Sequence, residues 1–237
     1  MKKLALLLLL AIIGGSALAQ NLQLHYDFTK SNSIASNNRD YVTATFEMFK
    51  PDSLGSTFWF IDLDFNGAHH EPNLAYLEIA RDLKFWKAPV ALHVEYNGGM
   101  LYSSRVGAFN TAFSNIGIVG VSGQHQVGNV SLGSYFGYRF DDAAREGADF
   151  QWTATWFSML WNNRITLSGF IDVWTQDQLN ADFRADGKKV VVITEPQIWY
   201  NLTSAIAVGG EIEISHNFIP GSKKIEAFPT IGAKFTF

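Results

Sequence analysis

The sequence predicts an all-β chain closing as a transmembrane antiparallel up-and-down β-barrel of about 12 strands, and three observations carry that reading. Period-two alternation of apolar and polar residues dominates the chain from residue 22 to the end, while helical spacing is hard to find. The connections between the alternating segments are long and short by turns. The chain finishes on Ile231-Gly232-Ala233-Lys234-Phe235-Thr236-Phe237, with apolar residues at 231, 233, 235 and 237 and small or polar ones between them.

Taken in order, the first element is a leader. Lys2 and Lys3 precede ten apolar residues, Leu4 to Ile13, and Ala17-Leu18-Ala19 forms a small-x-small site before Gln20. This is the three-part layout of a cleaved secretory signal. Ten residues are too few to cross a bilayer as a helix, which takes about 20. The expected organisation is a signal peptide over 1–19 and one barrel domain over 20–237. The chain has no Cys, so neither a lipid-modified Cys nor a disulfide is available. No stretch of 18 apolar residues follows, so a membrane helix is not expected. Aromatics make up 14%, with 19 Phe, 8 Tyr and 7 Trp, a content that suits a membrane–water interface, where Trp and Tyr keep an apolar ring and a wet N–H or O–H. A net charge of −4 argues against nucleic acid as a partner, since that affinity comes from neutralised phosphates.

Twelve strands are expected: 22–29, 40–49, 57–65, 74–81, 89–96, 111–122, 130–140, 149–160, 164–175, 190–200, 205–215 and 225–237. Most match the 9–11 residues of a tilted membrane strand in length. The sixth and tenth are the least regular, the tenth because of Pro196. Alternate connections, 30–39, 66–73, 97–110, 141–148, 176–189 and 216–224, are long. The five between them, 50–56, 82–88, 123–129, 161–163 and 201–204, are seven residues or fewer. Long outer loops, short periplasmic turns and an even strand number belong together in outer-membrane barrels.

The faces decide what each side meets. Trp59, Ile61, Leu63 and Phe65 share one face of their strand, and Phe58, Phe60, Asp62 and Asp64 the other. Val90, Leu92, Val94 and Tyr96 oppose Ala91, His93 and Glu95. Ile165, Leu167, Ile171 and Val173 oppose Arg164, Thr166, Ser168, Phe170, Asp172 and Trp174, and Val208, Ile212 and Ile214 oppose Glu211, Glu213 and Ser215. A secreted β-sandwich or lipocalin would explain the alternation equally well, with the apolar face inside. It does not explain the terminal strand, the loop pattern or the Trp content. A membrane barrel turns the apolar face to lipid and the charges to a wet lumen.

The residues expected to line that lumen are Glu47, Phe58, Phe60, Asp62, Asp64, Tyr76 and Glu78 in the first half, and His93, Glu95, Arg139, Arg164, Asp172, Trp174, Glu211 and Glu213 in the second. His25, Asp27, Tyr135, Glu195 and Lys234 share their parity. Acids outnumber bases, which disfavours anions and suits cations or neutral polar solutes. The aromatics add stacking surface for flat solutes. Twelve strands enclose more space than the eight that side chains can plug.

Three segments carry a family resemblance. Tyr41-Val-Thr-Ala-Thr-Phe46-Glu47-Met-Phe49, Thr57-Phe-Trp-Phe-Ile-Asp62-Leu-Asp64 and Leu77-Glu78-Ile79-Ala80-Arg81-Asp82-Leu83 resemble the front half of the nucleoside-specific channel-forming outer-membrane porins (Tsx/OmpK-like). The resemblance covers residues 40–96 and the terminal strand, and this chain is shorter than typical members, chiefly in its loops. It implies a monomeric twelve-stranded barrel with a narrow passage for nucleosides and similar solutes. It also implies that Glu47, Phe58, Phe60, Asp62 and Glu78 lie where that family's inward residues lie. Arg81 matches the motif's arginine but falls on the outward parity at a strand end, where it can anchor a turn.

Two other classes stay open. Outer-membrane lipid hydrolases need a Ser nucleophile, a His base and an orienting group within hydrogen-bond reach. The nearest Ser–His neighbours are Ser122 with His125 and Ser215 with His216, and the second pair sits on opposite faces of a strand. A structural or adhesive barrel would act through its outer loops, none of which carries a repeat or binding motif. His69-His70-Glu71 lacks a third spaced ligand for a metal. The expected assignment is therefore a non-enzymatic passive channel in the outer membrane of a Gram-negative bacterium. It has no cofactor, metal or catalytic residue. Its partners are small nucleoside-like solutes, outer-membrane lipid and, through the C-terminal strand, the barrel-assembly machinery.

Overall fold

The computed structural model describes residues 19–29, 39–67, 70–102, 111–144, 146–180, 182 and 184–237. The expected leader (apart from Ala19) and His69 lie outside the described residues. Fourteen strand segments follow one another: β1 (Ala19–Asp27), β2 (Tyr41–Asp52), β3 (Gly55–Asp64), β4 (Leu74–Leu83), β5 (Ala91–Leu101), β6 (Thr111–Ala112), β7 (Ile116–Val127), β8 (Val130–Asp141), β9 (Asp149–Leu160), β10 (Ile165–Leu179), β11 (Ala185–Thr194), β12 (Gln197–Asn201), β13 (Ile206–His216) and β14 (Ile225–Thr236). They form one antiparallel sheet, which closes because β1 pairs with both β2 and β14.

β11 and β12 are one strand in two pieces. Both pair with β10 and β13, and the pairing Ile171↔Thr194 continues as Ser168↔Gln197 without a slip. Pro196 has no N–H to donate, so it interrupts the ladder but not the register. Its carbonyl still accepts from the Ile212 amide at 3.2 Å, and the Glu195 amide reaches the Phe170 carbonyl at 3.2 Å. Gly169 lies opposite this joint at φ +153°, where a Cβ would stand 2.5 Å from the Glu195 carbonyl oxygen and 2.6 Å from Trp156. With β11 and β12 merged and the two-residue β6 clipped onto the outer end of β5, the barrel has the twelve strands expected.

Several boundaries differ from the sequence reading. β1 begins at Ala19, three residues early, and pairs it with Phe49. The sixth expected strand is split by residues 113–115 into β6 and β7. The fifth outer loop, expected over 176–189, shrinks to 180–184 because β10 and β11 run on as a hairpin. That hairpin absorbs a bulge between Asp177 and Leu179. The turns at 53–54, 84–90, 128–129, 161–164 and 202–205 remain short, and the connections at the opposite end mostly long.

Alternation sets the faces as expected. Leu24, Tyr26, Val94, Tyr96, Phe136 and Phe235 are exposed on the outside, while Gln23, His25, Asp27, His93, Glu95 and Arg139 are buried inside. Outward aromatics gather towards both rims. Tyr138 meets Phe140 and Phe150 at 4.5 and 5.6 Å near the outer end, and Phe85 meets Trp86 at 4.6 Å in the turn after β4. Such girdles sit where lipid headgroups meet the chain. Arg81 anchors a turn: its guanidinium grips the Asp52 carboxylate at 2.6 and 2.8 Å and donates to Thr57 Oγ1 at 2.9 Å, fastening the β2–β3 hairpin.

Ile61 faces outward in mid-strand, between Phe46 and Leu77. Ile61→Arg should destabilise the barrel by about 2–4 kcal/mol at the bilayer midplane, read from urea unfolding of the lipid-refolded protein; full tolerance there would overturn the facing.

Candidate functional site

The lumen is built by cross-strand neighbours that share a face. From β1 to β5 the register sets Asp27 beside Tyr41, His25 beside Thr43 and Asn21 beside Glu47. It continues with Glu47 beside Phe60, Phe60 beside Glu78, and Asp62 beside Tyr76. Phe58, Phe60 and Tyr76 thereby form an aromatic ladder with ring centroids 5.9 and 5.8 Å apart. Such spacing is that of tilted aromatic pairs in contact. The carboxylates are held by polar neighbours: Thr45 donates to Asp62 at 2.5 Å, Thr43 to Asp64 at 2.6 Å and Asn21 to Glu47 at 2.9 Å.

Carboxylates from several strands act on one another inside the barrel. Glu78 on β4 feels the charges of Glu95 on β5, Asp172 on β10, Asp62 on β3 and Glu195 at the β11–β12 joint. Glu195 in turn feels Glu211 and Glu213 on β13. These acids form a belt on the inner face of the sheet. Asp172 accepts from Thr153 at 2.5 Å and Glu211 from Gln197 at 2.8 Å.

Among the described residues cations are fewer than acids on this face, and Arg139 is the one that acts on both Glu95 and Asp172. Arg39 precedes β2 and reaches past β1, pairing with Glu213 at 2.7 and 3.2 Å and lying 3.7 Å over the Phe228 ring, with Asp27 at 3.9 Å. Burial works against its charge, but the Glu213 carboxylate beside it more than compensates and holds the guanidinium pKa above its usual value. Arg139 is buried, 5.5 Å from the Trp174 ring and 3.8 Å from Asp141. Lys234 stands 4.4 Å over the Trp199 ring. His93 spends both ring nitrogens, on Asp82 at 2.8 Å and Glu95 at 3.1 Å, and stacks on Tyr135 at 3.9 Å.

By strand register, Glu47, Phe58, Phe60, Asp62, Asp64, Tyr76, Glu78, His93, Glu95, Arg139, Asp172, Trp174, Glu211 and Glu213 alternate with the outward residues and lie on the inner face of the sheet. Arg164 is the exception. It sits in the 161–164 turn, exposed, where Trp161, Asn162 and Asn163 all adopt positive φ, and its guanidinium donates to Tyr200 on the outer face at 3.2 Å. Leaving the strand ends the alternation that had assigned it inward.

The sequence reading assigned no face to several apolar residues that the pairing turns inward. Trp199 is fully buried: it pairs with Gly209, its ring reaches Gly232, meets His25 edge-on at 5.4 Å, and its indole N–H donates to Gln197 at 2.9 Å. A Cβ at Gly232 would come within 3.3 Å of both His25 and Trp199. Trp174 packs with Val191, Ile193 and Phe170, so this part of the lumen is an apolar wall. Phe218, in the last outer loop, meets Trp174 at 6.0 Å, and the loop is tied to β11 by Lys189 donating to the Asn217 carbonyl at 2.8 Å. The signal for Trp199 was its spacing of four from Glu195.

The named Ser–His neighbours do not assemble a nucleophile. Ser122 donates to Asp82 at 2.6 Å, and Ser215 and His216 stay on opposite faces of β13. Among the described residues, no three His, Asp or Glu side chains converge as a metal-binding group.

Removing the Trp199 ring should cost about 3–5 kcal/mol, as for other buried aromatics, and widen the lumen. Trp199→Ala is therefore expected to combine a lowered unfolding midpoint with raised single-channel conductance.

Among solved structures the fold is similar to a NanC porin, at 12% identity and TM-score 0.57, over 92% of this chain and 100% of that one. A KdgM porin aligns at 7% identity and TM-score 0.48, over 92% of this chain and 99% of that one. The trimer form of OmpT from Vibrio cholerae aligns at 8% and 0.43, over 93% and 98%. The first likeness supports the barrel fold. A comparison with curated proteins finds no match. A family model described as a domain of unknown function (DUF5020) matches residues 19–237, nearly the whole chain, and the protein belongs to that family.

Proposed function

We propose that the protein is a non-enzymatic, passive outer-membrane channel for small hydrophilic solutes, with nucleosides as the preferred class. The observation that carries the reading is the Phe58–Phe60–Tyr76 ladder beside the carboxylates of Asp62 and Glu78. Flat bases stack on aromatic rings, with about 1–3 kcal/mol per base at a good platform, and hydroxyls and ring N–H groups donate to carboxylates. Binding stays weak because a tight site stops flux. The barrel acts as a monomer surrounded by outer-membrane lipid. Its leader is cleaved after Ala19, and its last strand, ending on Phe237, presents the chain to the barrel-assembly machinery. The unbroken pairing of that strand with β1 supports the part given to it in the closed sheet. The chemistry requires no cofactor.

The test is ion conductance of the refolded protein in planar bilayers, with adenosine or thymidine titrated against a sugar of similar size. Block by nucleoside and not by sugar is expected, and Phe60→Ala should abolish that preference while the barrel stays folded. Channels indifferent to nucleosides would discard the solute and keep the channel.

A further inference from the structure

We infer that the periplasmic end of β7 is a docking edge for an extended peptide that carries a bulky apolar side chain and ends in a carboxylate. The inference goes beyond the channel reading and does not depend on it. β7 and β8 run together from Ile116↔Asp141 to Val127↔Val130, but β5 pairs with β7 only as far as Ala91↔Ser122. Residues 123–127 therefore have a strand on one side alone. The phase of the β7–β8 ladder is fixed near its other end, where the Asp142 amide donates to the Asn115 carbonyl at 3.1 Å. Odd-numbered residues of β7 thus spend their backbone groups on β8, and Gln124 and Gln126 turn theirs to the open side. Among the described residues no backbone group meets them there. Pro89 explains the stop. It stands where the register would set a partner for Gln124, and it has no N–H to give. The Trp86 indole, donating to the Val90 carbonyl at 2.7 Å, closes the turn on itself.

Open edges are commonly blunted by charge, by Pro or by a covering loop. Gly123-Gln124-His125-Gln126-Val127 carries no Lys, Arg, Asp, Glu or Pro, and all but Gly123 are exposed. A segment added here runs antiparallel to β7, as β5 does, and exchanges main-chain hydrogen bonds with Gln124 and Gln126. Beside the edge lies a hollow of about 330 Å³ lined by Gly123, Gln124, His125, Leu132, Gly133 and Ser134. A Cβ at Gly123 would meet nothing within 4 Å, so the hollow is open over that residue and takes one bulky side chain of the added strand. Direction sets the charge. The C-terminal end of the segment points at the 84–90 turn, where Lys84 and Lys87 are exposed and no acid is present. A second copy does not fit this edge. Two barrels upright in one membrane are related by an axis along its normal, which crosses their tilted strands instead of pairing them.

Fluorescence polarisation of the full refolded protein in detergent tests the edge. The probe is a labelled threonine-valine-threonine-phenylalanine-aspartate peptide with a free C-terminal carboxylate. It should bind, and its fully N-methylated form, which keeps the side chains but has no N–H to donate, should bind at least about tenfold more weakly. Alanine in place of its phenylalanine should weaken it, and Gly123→Leu, which fills the hollow, should remove that difference. Gln124→Pro takes an N–H from the open side only, which an edge strand tolerates. It should lower affinity about fivefold or more in a barrel of unchanged circular dichroism. If Gln124→Pro does not fold, the methylated peptide still decides. Equal binding of the plain and methylated peptides, or affinity unchanged in folded Gln124→Pro, would overturn the docking edge. A dimer seen in sedimentation and split by Gln124→Pro would also overturn it, by giving the edge to a second copy.

Discussion

Everything in this barrel depends on pairing every strand on both sides, because backbone N–H and C=O groups facing lipid have no water to turn to. The decisive seam is β1 against β14, running from Asn21↔Thr236 to Asp27↔Thr230. An open sheet would leave two edges unpaired in hydrocarbon. Closure also explains why Pro196 is tolerated: one missing donor inside an unbroken register is a local loss, and Gly169 on the opposite strand makes room where a side chain would collide with the Glu195 carbonyl.

Once closed, the two-residue period gives the inside and outside separate chemistry. The outside is apolar with aromatic rims. The inside is unequal around its circumference: β2 to β5 bring carboxylates and an aromatic ladder, whereas β10 and β11 contribute the apolar group of Trp174, Val191 and Ile193. Trp199 is fully buried, pairing with Gly209 and reaching Gly232 with its ring. The interior of the barrel is therefore acidic with an apolar flank.

Acid excess inside a low-dielectric wall is costly unless it is compensated. Hydroxyls of Thr43, Thr45 and Thr153 bond individual carboxylates. The cations sit mostly at the margins: Arg39 at the outer mouth on Glu213, Lys188 between Asp149 and Asp177, and Lys234 near the periplasmic end.

The sequence by itself determined the strands, their facing and the barrel class, because alternation with period two is a local property and lipid leaves one solution for it. It placed Glu47, Phe60, Asp62, Glu78, Glu95 and Glu211 on the lumen side for the same reason. What it did not determine was what fills the lumen. Trp199 and Phe228 are apolar and inward, and only the neighbouring glycines and the Arg39 guanidinium explain how they fit. Arg164 obeyed the parity but lies beyond the strand that gives parity meaning. The edge contact of His25 with Trp199 and the pairing of Arg39 with Glu213 exist only because closure brings β1 and β2 round to β12 and β13. Contacts between residues far apart in the chain are a property of the closed ring, and no stretch of sequence contains them.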